Sequence, residues 1–108
     1  MKRVILESPF AGDINRNVTY ARRCMLDSLQ RGEAPFASHL LYTQCLDDDN
    51  PEQRGMGITA GYVWGMCAEL VVFYLDHGSS GGVDAARKRY ESLGIPTEDR
   101  YIGRNVPA

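Results

Sequence analysis

The residues able to do chemistry gather in three short segments, 7–13, 37–42 and 76–82. The last is the densest. Gly78-Ser79-Ser80-Gly81-Gly82 runs straight into a helical pattern, and backbone N–H groups and hydroxyls at a helix N-terminus suit a phosphate or carboxylate. It is no P-loop, since GxxxxGK[ST] is absent, and it does not match GxGxxG. The same composition also serves as a plain turn. Asp76 ends an apolar run, where a carboxylate can accept hydrogen bonds from sugar hydroxyls or simply cap a loop. His39 follows Ser38, with no nucleophile paired to it in sequence, and His77 reads as a polar loop residue. Neither belongs to a spacing that holds a metal. Asp47-Asp48-Asp49 reads as a solvated acidic loop. Cys24, Cys45 and Cys67 are odd in number and lack CxxC spacing, which excludes a zinc knuckle or a disulfide framework as the organising element. Cys24 and Cys67 fall in apolar helical patterns and are expected as buried, reduced thiols; Cys45 has no strong reading. No metal and no cofactor are expected.

Four short strands and three helices must position these segments. Val4-Ile5-Leu6 is a short strand ending in a loop punctuated by Pro9 and Gly12. Val18, Ala21, Met25 and Leu29 recur at helical spacing before Gly32, and predict one apolar stripe. Ala34-Pro35-Phe36-Ala37 is a second strand. Asn50-Pro51 is a helix start, with Asn50 as cap. The helix that follows places Met56, Ala60, Val63, Trp64 and Cys67 on one apolar face. Gly55, Gly57, Gly61 and Gly65 weaken that helix, which makes sense if it packs close against another backbone. Trp64 is expected in the core, although this glycine-rich helix is also a candidate contact surface. Leu70-Val71-Val72-Phe73-Tyr74-Leu75, apolar on both faces, is the central strand of a parallel sheet. A helix bearing Val83, Ala86, Tyr90 and Leu93 follows it, and a last strand lies within residues 97–102. The alternation predicts a single α/β domain over residues 1–108. Its architecture is a three-layer flavodoxin- or Rossmann-like sandwich with a small parallel sheet of four or five strands. In such sheets ligands bind beyond the carboxyl ends of the strands, where the three polar segments fall.

The chain has 108 residues, 12 Lys+Arg and 14 Asp+Glu, for a formal net charge of −2. That balance disfavours polymeric nucleic acid, whose binders carry a basic excess. An apolar fraction of 44% supports a packed core rather than disorder. The longest apolar stretch is too short for a bilayer and no signal peptide is visible, so a cytoplasmic protein is expected.

Val4-Ile5-Leu6-Glu7-Ser8-Pro9-Phe10-Ala11-Gly12, a helix, the run from Leu70 to Asp76, a glycine-rich turn and Leu93-Gly94-Ile95-Pro96 resemble, in order and spacing, the nucleoside 2-deoxyribosyltransferase superfamily. Within it, Asn17-Val18-Thr19-Tyr20-Ala21-Arg22-Arg23, the run from Ala34 to Tyr42 and Glu98-Asp99-Arg100-Tyr101-Ile102 are similar to small phage and bacterial proteins. The resemblance implies a pocket for a nucleoside or nucleotide. Ser8, Pro9 and Phe10 would lie against the base, with Gly12 in the same loop. Asp76 would contact the sugar, and Ser79, Ser80, Gly81 and Gly82 would hold a phosphate, with Arg22 and His39 as anion partners. The superfamily's nucleophilic glutamate falls on Ala86, which cannot attack an anomeric carbon. The expectation is therefore a nucleotide- or nucleoside-derivative-binding protein, phage-related, sequestering a nucleotide signal and forming a homo-oligomer. The alternative is an N-glycosidase or deoxyribosyltransferase using Asp76 or Asp84 as its carboxylate.

Overall fold

Alternation along the first strand decides how the layers assemble. In the computed structural model, which describes residues 1–107, β1 (Arg3–Glu7) turns Val4 and Leu6 to one face of the sheet and Ile5 to the other. Helix α1 (Ile14–Gln30) covers the first face. Strand β2 (Ala34–Phe36), helix α2 (Ser38–Leu41), a 3-10 turn (Tyr42–Gln44) and helix α3 (Pro51–Gly65) follow. Next come β3 (Leu70–Tyr74), α4 (Gly81–Ser92), β4 (Thr97–Arg100) and a second 3-10 turn (Gly103–Asn105). The sheet is four-stranded and wholly parallel, in the order β2-β1-β3-β4. This is the expected small three-layer α/β sandwich, at the lower of the two strand counts. β3 is internal and its Val71, Val72, Phe73 and Tyr74 are all buried.

Helix α1 uses the predicted stripe only in part: Ala21 is buried and Met25 packs against the core. Its buried residues are Asn17, Tyr20, Ala21, Cys24 and Ser28, while Leu29 is exposed. The rotation follows the polar partners. Asn17 Nδ2 donates to the carbonyls of Phe10 and Ala11 at 2.9 and 3.0 Å. Ser28 donates to Glu33 at 2.8 Å, and the Tyr20 hydroxyl donates to Asp76 at 2.5 Å. Buried polar groups that find partners cost little, so this face outcompetes a slightly more apolar one.

Helix α3 departs further. Its buried positions are Gly61 and Gly65, and the apolar ridge is turned outward: Met56 is 58%, Val63 65% and Trp64 57% exposed. Trp64 is therefore not core; its ring lies 6.0 Å from that of Phe36 at the edge of the sheet. Cys67, past the helix end, is exposed too, unlike Cys24. Close approach explains the inversion. A Cβ on Gly61 would stand 2.8 Å from Ser38, and one on Gly65 would stand 2.7 Å from Cε1 of Tyr90. The glycines let α3 lie directly on α2 and α4 and bring its inner face over the strand ends.

β4 is an edge strand of unusual content. Arg100 is 5% exposed and makes two 2.7 Å bonds to the Glu33 carboxylate, with further bonds to Glu98 and the Tyr74 hydroxyl. The bidentate pair ties the last strand to the α1–β2 connection beneath α1.

Candidate functional site

A cavity of about 330 Å³ opens beyond the carboxyl end of β1 on the α3/α4 side of the sheet. Its volume is at the lower end for small-molecule sites. One wall is the loop after β1, with Ser8, Phe10 and Ala11. A second is α2 and the turn after it, with His39, Tyr42 and Thr43. A third is α3, with Gln53, Arg54, Gly57, Ile58, Gly61 and Tyr62, and the last is the start of α4, from Ser80 to Ala86. The glycine face of α3 makes this possible, because a Cβ at position 61 would stand 2.8 Å from Ser38 and one at position 57 would stand 3.3 Å from Leu46, both lining residues.

Ser8 and His39 form one polar corner. Ser8 Oγ lies 2.8 Å from His39 Nε2, and His39 Nδ1 is buried without a partner. Burial pulls the imidazole pKa down to about 4, so the ring is neutral at physiological pH. Placing the single ring proton on Nε2 lets it donate to Ser8 and leaves Nδ1 as a bare acceptor, which avoids a buried N–H with no acceptor. The Ser8 hydroxyl proton is then free to donate to a ligand.

The start of α4 is a second corner. Ser80 caps the helix, its Oγ accepting from Val83 N at 3.2 Å. Its hydroxyl oxygen is thus occupied locally. The N–H groups of Gly81 and Gly82 have no partner among the described residues, and both residues line the cavity. They are suited to an anion.

Glu7 is the third feature. The pleat that turns Ile5 toward α3 and α4 also turns Glu7 there. Its carboxyl group lines the cavity with no hydrogen-bond or ion-pair partner among the described residues, and burial pushes its pKa up to about 7. Nearby Arg54 is within 3.9 Å of Asp48 instead. Glu7 shares the cavity wall with Ala86, the position that lacks a carboxylate.

Of the residues expected to bind, Ser8, Phe10, His39, Ser80, Gly81 and Gly82 come together here. Pro9, Gly12 and Ser79 stay in the flanking loops without lining the cavity, and Arg22 is exposed on α1. Asp76 lies toward the α1 side of the sheet. It accepts from Tyr20, from Ile102 N at 3.0 Å and from Gly103 N at 3.1 Å. Burial works to raise its pKa, but these bonds outweigh it and hold the carboxyl below its ordinary value. Asp84 is exposed and accepts from Ser79 at 2.6 Å. Neither aspartate reaches the cavity. His77 accepts from Arg16 at 2.8 Å, away from the site. Among the described residues no group of three His, Cys, Asp or Glu could hold a metal ion, and no helix is long and apolar enough to cross a membrane.

Glu7 and Tyr42, which fall within two of the polar segments but were given no role, and Arg54 and Tyr62 of α3 are among the lining residues that sequence reasoning did not assign. Only Glu7 carried a signal, an acidic residue in register with Ile5 on the inward face of a buried strand.

No curated protein and no solved structure matches the chain. Residues 2–100 match the family model described as Domain of unknown function (DUF7768). That span runs from before β1 to the end of β4 and contains every wall of the cavity. The chain belongs to the DUF7768 family.

Proposed function

We propose that the cleft binds a nucleoside or nucleotide derivative without cleaving its glycosidic bond. The observation that carries this reading is the convergence, in one cavity at the carboxyl end of β1, of an aromatic wall and unpartnered backbone donors. Phe10 and Tyr42 offer faces for a base, the Gly81 and Gly82 N–H groups suit a phosphate, and Ser8 adds a hydroxyl donor. The resemblance to deoxyribosyltransferases supports the ligand class. Ala86 in place of a glutamate, with Asp76 and Asp84 both outside the cavity, favours binding over glycosyl transfer. Sequestration of a nucleotide signal by a phage-related homo-oligomer extends the same reading, with the exposed Met56, Val63 and Trp64 ridge as the surface for self-association.

Native mass spectrometry of freshly purified protein tests ligand and subunit count together, with calorimetry against mononucleotides to follow. Gly82→Val should abolish binding by obstructing the approach to the helix terminus. It should leave the fold intact, since a Cβ there meets nothing closer than the Ser80 hydroxyl at 3.9 Å. Unchanged affinity in Gly82→Val would remove the phosphate assignment. Release of free base, abolished in Glu7→Gln, would make the protein a glycosidase instead.

A further inference from the structure

We propose that Glu7 is the recognition group of the cleft, accepting two hydrogen bonds from a ligand that presents adjacent N–H or O–H donors. The inference deepens the nucleoside reading and rests on it for the ligand class. A carboxylate has two oxygens able to accept a forked donor pair. In most proteins such a group, when removed from bulk water, is paired internally. Glu7 is not: no N–H, hydroxyl or cation among the described residues bonds to it. Its neighbours explain why it gains nothing from the protein. Ile5 precedes it on the same face, and Val83 and Ala86 of α4 supply no donor. Tyr62 of α3 and Tyr90 of α4 feel its charge, which together with burial raises both phenols. The ionisable groups around it are these two tyrosines, Arg89 beyond them, the neutral His39 of α2 and the Asp48–Arg54 pair. Arg89 sits over the Tyr62 ring at 5.2 Å, and Arg87 sits over the Phe73 ring at 4.3 Å and donates to Asp99 at 2.6 Å, so both cations are engaged away from the carboxylate. Burial raises the Glu7 pKa to about 7, so donor binding, which favours the ionised form, releases a proton near neutrality.

Such donors can come from a heterocycle edge, as in guanine, or from the cis-diol of a ribose. Calorimetry of wild type and Glu7→Gln against guanosine, inosine and 2′-deoxyguanosine separates these sources. Loss of affinity on removing the amino group assigns the heterocycle, and loss on removing the 2′-hydroxyl assigns the diol. In either case Glu7→Gln should bind the best nucleoside about tenfold or more weakly, and proton release on binding should disappear. Equal affinity in Glu7→Gln overturns the proposal. Benzamidine, an aromatic ring with a forked N–H pair, is the probe that does not depend on the nucleoside reading. Chemical-shift perturbation around β1 in wild type but not in Glu7→Gln supports the role of Glu7, even if every nucleoside fails and the nucleoside reading falls. No benzamidine binding to the wild-type cleft overturns it. A fold control accompanies both. Because the apo carboxylate is unpartnered, Glu7→Gln should unfold at a temperature equal to or above that of wild type at pH 8, and a large loss of stability would show an internal partner and overturn the proposal.

Discussion

Asp76→Ala separates a structural aspartate from a ligand-binding one, and its cost can be worked from the geometry. The Asp76 carboxylate receives the Tyr20 hydroxyl at 2.5 Å and the N–H groups of Ile102 and Gly103 at 3.0 and 3.1 Å, while Asp76 N donates back to the Tyr20 oxygen at 2.9 Å. Tyr20 is fully buried, so its hydroxyl cannot turn to water once the acceptor is gone. An orphaned buried donor costs about 1–3 kcal/mol, and a hydrogen bond to a charged group contributes about 1.5–3 kcal/mol. Gly103 is exposed and its N–H can be rehydrated, so its bond is discounted. The expected loss is about 3–5 kcal/mol, a large share of the roughly 5–15 kcal/mol that holds a domain together. Urea denaturation should show a lower midpoint at unchanged slope. Asp84→Ala is the control: it loses one exposed contact with Ser79 and should stay within about 0.5 kcal/mol of wild type. The pH profile provides a second readout. The folded pKa of Asp76 lies below its unfolded value, so its contribution is present above about pH 4 and is lost as pH falls through the folded pKa. Asp76→Asn should flatten that acid limb. A loss under about 1 kcal/mol in Asp76→Ala, together with abolished ligand binding, would refute this placement and return Asp76 to the site.

Glu33→Ala should cost about 3–5 kcal/mol by chemical denaturation, because it leaves the buried Arg100 without its bidentate partner. Arg100→Met with Glu33→Leu should cost less than the two single changes together, and strict additivity would disprove the coupling. The Arg100 guanidinium holds the Glu33 carboxyl below its ordinary pKa, so this pair also stabilises above about pH 4 and weakens in acid. Gly65→Val drives a side chain into the buried Tyr90 ring and should destabilise by about 1–3 kcal/mol or more in thermal unfolding; an increase in stability would show that α3 does not rest on α4 as described.

The parts legible in the sequence are those where hydrophobic period and burial coincide. β3 is apolar on both faces because both faces are covered, and the polar turns fall at the strand ends because a parallel sheet leaves them there. Period fails where a helix packs through something other than its apolar residues. Tyr20, Asn17 and Ser28 turn α1 toward their polar partners, and Gly57, Gly61 and Gly65 turn α3 toward its glycines, which carry no hydropathy signal. The exposed Met56, Val63 and Trp64 follow directly from that inversion. Asp76 misled for a related reason: alternation in phase with Val72 and Tyr74 sends it to the α1 layer, where Tyr20 holds it, while the cavity opens on the opposite face. Glu7 shows the converse. Its residue type looks like the end of a strand meeting solvent, yet its register with Ile5 commits it to the α3/α4 side. There the glycine-faced α3 leaves a cavity. The site therefore depends on two departures from ordinary patterning, a charged residue on an inward register and a helix packed by its smallest residues. Each would be a defect alone; together they place an unpaired carboxylate in a cleft with room for a ligand.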